Sequence, residues 1–156
     1  MSSIYIFTGE IKSGKTTRLE KWIEKNPDSD GILAPVIGGK RHLVRIKTKE
    51  TKLLEYEGNN PNVKLTTICD YKFMDSVFEW GKEELYNAFL RKPGRLIIDE
   101  IGPLELRGEA LEPMVSKILG GNVKGINIVL VVRKVLVEKV IGHYNLHKNG
   151  FKFFNI

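Results

Sequence analysis

Gly9-Glu10-Ile11-Lys12-Ser13-Gly14-Lys15-Thr16-Thr17 stands directly after the apolar run Ile4-Tyr5-Ile6-Phe7. A strand pattern followed by G-x-x-x-x-G-K-T-T is the arrangement of a phosphate-binding loop. The chemistry explains the residue types. Glycines let successive backbone N–H groups curl round an anion without Cβ clashes, and the helix that follows aims its positive end at the same place. On this reading Gly9, Glu10, Ile11, Lys12, Ser13, Gly14, Lys15, Thr16 and Thr17 form the nucleotide-binding stretch. Lys15 brings its charge to the β- and γ-phosphates, and Thr17 reaches the α-phosphate. Thr16 offers its hydroxyl to Mg²⁺, because a hard cation takes oxygen ligands and shares its site with the substrate's own phosphates. Beyond the loop, Leu19, Trp22 and Ile23 keep the spacing of a buried helical face.

Such a loop needs an acidic partner for the metal, at the C-terminal end of another buried strand. Leu96-Ile97-Ile98-Asp99 has that pattern. In an open α/β sheet the carboxyl ends of parallel strands share one edge, so Asp99 is expected near Thr16 despite the intervening sequence. Asp99 then holds the metal through a water. Glu100, a second carboxylate beside it, is suited to orient and deprotonate an attacking water, which points to hydrolysis. Arg133, just past the β-branched run Ile126 to Val132, is the candidate for an arginine acting in cis on the transferring phosphoryl group; a plain surface arginine is the competing reading.

The flanking segments give the architecture. Ile32 to Ile37, Arg95 to Ile98 and Ile126 to Val132 read as buried strands, with helical patterns from Asp75 to Lys92 and around Leu111 to Leu119. Asp75 or Ser76 is the expected N-cap of the first of these helices. A short helix through Val137, Val140 and Ile141 leads to a last strand, Phe151 to Phe154. Between Arg41 and Tyr56 the pattern alternates as an antiparallel hairpin or meander does, with Arg41, Leu43, Arg45 and Lys47 on one face. That basic face reads as solvated surface, with contact to nucleotide or nucleic acid as the alternative. The expected fold class is α/β, a three-layer P-loop NTPase fold whose mainly parallel sheet carries this antiparallel insertion.

At 156 residues the chain suits a single domain spanning 1–156. No apolar run has membrane-spanning length and no signal-peptide pattern precedes the first strand, so a cytoplasmic protein with no membrane partner is expected. The single cysteine, Cys69, reads as a small buried hydrophobe. A formal charge of +6 favours an anionic partner without separating a triphosphate from RNA or DNA. His143 and His147 stand four apart, yet no Glu or third ligand accompanies them, and they read as exposed helix residues. The sequence leaves the oligomeric state open.

The loop together with Asp99-Glu100-Ile101-Gly102-Pro103-Leu104-Glu105-Leu106 resembles the THEP1-type nucleoside-triphosphatase family, which carries a DEIG motif followed by a Glu-Leu pair. Gly31 to Leu54, Phe73 to Leu90 and Val132-Arg133-Lys134 resemble further family regions, so the likeness covers most of the chain. It implies Mg²⁺-dependent release of the terminal phosphate of ATP, GTP, CTP and UTP, with loose choice of base. It also implies the loop residues, Asp99 and Glu100 in the roles given above, and proximity of Glu105 to the site. Two departures stand out. The loop has Glu10, Ile11 and Lys12 where relatives often have glycine, and the chain ends at Ile156, before a segment with a Thr and an Asn-Arg pair, so base contacts from that segment are not expected. A nucleotide or small-molecule kinase is the first alternative; it would need an acceptor pocket and usually a mobile lid. A nucleotide-dependent RNA-binding module working through the basic hairpin is the second.

Overall fold

The computed structural model describes residues 3–9, 14–121 and 123–156. The first strand, β1 (Ser3–Gly9), sends alternate side chains to opposite faces, so Ile6 and Phe7 enter different cores. Helix α1 (Lys15–Glu24) follows and buries Leu19 completely against the Phe7 side. The chain returns as β2 (Ser29–Leu33), all five residues of which are buried. Pro35 ends β2 earlier than the apolar run suggested, since proline has no N–H for a ladder. Val36 and Ile37 instead form a separate, exposed two-residue strand, β3.

An antiparallel annex comes next: β4 (Lys40–Arg45), β5 (Thr51–Leu53), then a hairpin of β6 (Leu65–Ile68) and β7 (Tyr71–Met74). Strand β7 is not among the elements expected from the sequence, which places a helix from Asp75. That helix, α2 (Asp75–Leu90), does begin at Asp75, but neither Asp75 nor Ser76 caps it. The N-cap position belongs to Met74, in extended backbone, and Asp75 accepts instead from the Thr66 hydroxyl.

The second half is built on two buried parallel strands. In β8 (Arg95–Ile101), Leu96, Ile97 and Ile98 have no exposed surface, and each contributes on the order of 2 kcal/mol by burial. The short helices α3 (Pro103–Leu106) and α4 (Met114–Leu119) lead to β9 (Asn127–Arg133). Helices α5 (Val137–His143) and α6 (Leu146–Asn149) and the edge strand β10 (Lys152–Phe153) complete the chain.

Among the described residues the main sheet runs β10-β1-β9-β8-β2-β4-β3, with β5 on β4. Pairing is parallel from β10 through β2 and antiparallel beyond. Helix α1 covers one face, around Phe7, Leu33, Ile97, Val129 and Val131. Residues of α2, α4 and α5 pack on the other, around Ile98, Ile128 and Leu130. These are the three layers expected of an α/β fold. Gly31 in β2 has φ 127°, and a Cβ there would lie 2.0 Å from the Ile97 carbonyl oxygen. Only glycine permits β2 to lie this close to β8.

At the base of the annex, Arg45 of β4 is buried and bonds Asp30 of β2 at 2.8 and 2.7 Å, and Glu84 of α2 at 3.2 Å. Burial pushes the Asp30 carboxyl up, but its bonds from Arg45 and from the Gly31 N–H outweigh this and leave it below its ordinary value. The expected solvated basic face is therefore corrected at its centre. Arg45 is sealed inside, because Leu43 on the same face packs under α2, next to Gly81.

Candidate functional site

The site lies at the carboxyl ends of β1, β9, β8 and β2, which share one edge because they run parallel. Strand β9 stands between β1 and β8, and the register sets Gly9 opposite Arg133. The end of the phosphate-loop strand is thus beside Arg133. On the other side of β9, Asp99 pairs with Val131 and Ile101 with Val132, so the register slips at Glu100. Such a bulge displaces the extra residue from the ladder and redirects it.

The loop's glycine end is visible at Gly14, in left-handed backbone with φ 77°, where it caps α1. Glu10, Ile11, Lys12 and Ser13 lie outside the described residues. Lys15 opens α1 and is buried, and Lys15, Thr16 and Thr17 all line one cleft with Asp99, Glu100 and Arg133.

Within that cleft the Thr16 hydroxyl donates to Asp99 Oδ2 at 3.0 Å, across 83 residues of sequence. The Ala34 N–H, at the end of β2, donates to the same oxygen at 3.1 Å. Asp99 is almost wholly buried, 1% exposed. Burial first, and the neighbouring charge of Glu100 second, push its carboxyl up to about 6, against the bonds from Ala34 and Thr16 and the charge of Arg41. A buried carboxylate short of positive charge, with a hydroxyl directed at it, is a donor set suited to a hard divalent cation. Among the described residues no group of three or more His, Cys, Asp or Glu could cage a metal.

Glu100 Oε1 lies 3.3 Å from Arg133 Nη2. Two of the three residues assigned catalytic roles from sequence, Glu100 and Arg133, are therefore in contact, and Arg133, like Lys15, belongs to the cleft. Glu105 sits behind them. Its carboxylate accepts from the Gly102 N–H at 2.9 Å and the Leu111 N–H at 3.2 Å, and so ties the turn after β8 to the segment before α4. Burial raises it to about 7.

Sequence reasoning left Arg41 on a solvated basic face, with nucleotide contact only as the alternative, and did not name it as a site residue. It lines the cleft, and its Nη1 donates to the Ala34 carbonyl at 2.6 Å, close enough to Asp99 for its charge to be felt there. Leu43 between Arg41 and Arg45 carried the signal: an apolar residue amid arginines marks a face turned inward. Cys69 is also corrected. It is exposed, with φ 52°, in the two-residue turn between the paired Ile68 and Tyr71. His143 falls in α5 and His147 in α6, both exposed.

No helix among the described residues is long and apolar enough to cross a membrane. A family model described as NTPase matches residues 4–156. Among solved structures, THEP1 from the hyperthermophile Aquifex aeolicus is similar, with TM-score 0.70 and 20% identity over 96% of this chain and 88% of that one. A human cancer-related nucleoside triphosphatase is similar at TM-score 0.70 and 22% identity, over 99% of this chain and 88% of that one. At such identities the likeness establishes the P-loop NTPase fold. No curated protein matches the chain.

Proposed function

The chain belongs to the NTPase family and is a nucleoside-triphosphate hydrolase; we propose that it works with Mg²⁺, on triphosphates of several bases, through the residues gathered in this cleft, as one domain spanning 1–156. The observation that carries this reading is the 3.0 Å bond from Thr16 to Asp99, which joins the loop helix to the acidic strand.

In the proposed step, Lys15 and the loop N–H groups hold the β- and γ-phosphates. Thr16 and Asp99 would hold Mg²⁺, which supplies charge neutralisation on the phosphate oxygens when bound. Glu100 accepts a proton from a water as its oxygen bonds to the γ-phosphorus, and the bond to the β,γ-bridging oxygen breaks, leaving a nucleoside diphosphate and phosphate. Arg133 stabilises the negative charge that develops on the transferring group. Loose choice of base is supported by where the polar groups gather: those described above converge on the phosphate end.

Phosphate release from ATP, GTP, CTP and UTP, measured with and without Mg²⁺, tests the reading. Comparable rates on all four with Mg²⁺ and loss of activity on chelation are expected. A single active nucleotide, or full activity in a chelator, would overturn base tolerance or the metal assignment respectively.

A further inference from the structure

The cleft is larger than its phosphate end. Its volume is about 980 Å³, at the upper end of the roughly 300–1,000 Å³ of small-molecule sites, and it continues from Asp99 and Glu100 into the antiparallel annex. There the lining is apolar. Leu54 and Phe78 form a buried floor, and Ile68, Tyr71 and Phe73 of the β6–β7 hairpin form a wall. Ile68 pairs with Tyr71 across the hairpin, and Tyr71 and Phe73 stand two apart, so all three share one face. The Tyr71 and Phe73 rings are stacked at 5.9 Å and 10°, and Phe73 meets Phe78 edge-on at 5.9 Å. Tyr71 nevertheless keeps 54% of its surface exposed.

The hairpin is held as a wall rather than hanging free. The Tyr56 N–H donates to the Lys72 carbonyl at 2.8 Å, and the Met74 N–H to the Leu54 carbonyl at 2.9 Å. The result is a concave aromatic surface on a fixed support, opening onto the triphosphate end.

Its charge is distinctive. The carboxylates in this part of the lining are already engaged: Glu55 accepts from the Arg41 N–H and faces Lys40, Glu100 faces Arg133, and Glu105 accepts two backbone N–H groups. Arg41 is the opposite case. Among the described residues its guanidinium bonds only the Ala34 carbonyl and is in direct contact with no carboxylate, although its charge reaches Asp99 and a guanidinium has five N–H donors. Such an arginine at the border of an apolar wall complements a ligand with a flat body and a negative group.

We propose that this wing binds a second small molecule beside the triphosphate, an aromatic compound carrying one anionic group, with the ring on Tyr71 and Phe73 and the anion on Arg41. The site is separate from the phosphate loop, so its occupancy does not depend on the hydrolytic roles given to Glu100 or Arg133.

The probe is 1-anilinonaphthalene-8-sulfonate, titrated by fluorescence into the whole protein with Mg²⁺, both without ADP and with saturating ADP. One saturable site is expected, with Kd raised at least tenfold by Arg41→Gln and at least threefold by Tyr71→Ala. Circular dichroism and Tm of both variants confirm folding, and the ADP affinity of Tyr71→Ala should stay within twofold. The thiol of Cys69, at the rim of the same cleft, gives a second readout without mutation: bound probe should slow its alkylation by N-ethylmaleimide at least threefold. The proposal is overturned by any of three results: no saturable binding, a Kd unchanged in both variants, or displacement of the probe by ADP, which would make the wing the pocket for the nucleotide's own base.

Discussion

The two halves of the cleft are built on opposite principles. The phosphate half comes from parallel strands whose carboxyl ends converge, and it gathers polar and charged groups: Thr16 bonds Asp99, and Arg133 meets Glu100. The annex half comes from antiparallel strands, and its cleft wall is aromatic and bordered by Arg41, which bonds the Ala34 carbonyl. The buried charge of the annex, Arg45 with Asp30, is turned away from the cleft into the packing beneath α2. On the proposed function the Glu100–Arg133 pair of the first half serves chemistry, whereas the Arg45–Asp30 pair of the second serves assembly. A buried charge has to be assigned by what it faces, since Asp99 and Asp30 both have little exposed surface on neighbouring strands.

Substitutions can break that contrast if it is wrong. The largest effect is expected from Glu100→Gln, which should lower kcat for phosphate release by about 10²–10⁴-fold while leaving unfolding in urea little changed. A variant that hydrolyses at the parent rate would remove Glu100 from its role. Arg45→Met should do the reverse, costing about 3–5 kcal/mol in urea unfolding because it strands Asp30 in the interior. Adding Asp30→Leu should recover much of that loss; failure to do so would mean the pair is not what Arg45 contributes.

Arg133→Ala sharpens the comparison from the chemical side. A fall of roughly 10²-fold in kcat is expected, with affinity for the diphosphate product held, as for loss of one donor to a developing charge. Next comes a pH effect. Glu105 titrates at 4.5 in its ordinary state and at about 7 in the fold. A carboxyl raised by folding stabilises fully below its unfolded value, and that contribution is lost as pH rises through the folded one. Unfolding free energy should therefore fall by on the order of 2 kcal/mol between about pH 5 and 8 in the parent, and this component should be missing in Glu105→Gln. The smallest effect is that of Tyr71→Ala on stability, within about 0.5 kcal/mol, because the ring is largely exposed.

Much of the phosphate half was legible in the chain. Glycine and lysine spacing locates the loop, and an apolar run ending in Asp99-Glu100 locates its partner, since both patterns are local and the parallel sheet brings their ends together. The annex was harder. Tyr71 to Met74 makes a strand only because it pairs with Leu65 to Ile68, and four residues beside a helix start carry no strand signal by themselves. The fates of Arg41 and Arg45 depend on α2 covering one face of β4, a long-range fact. The slip at Glu100 and the exposure of Cys69 likewise follow from register, which no local pattern encodes.

Strand β9 has a consequence beyond supplying Arg133. It separates the loop strand from the acidic strand, so Thr16 and Asp99 belong to supports two strand spacings apart, about 10 Å. The gap between the two groups is thus gauged by a third strand, one that is hydrogen-bonded on both sides and whose residues from Ile128 to Val132 are buried. Backbone of that kind opens only in the rarest fluctuations of a protein, and its amides exchange with solvent last. The spacing on which the site depends is therefore set by the part of the molecule least able to drift.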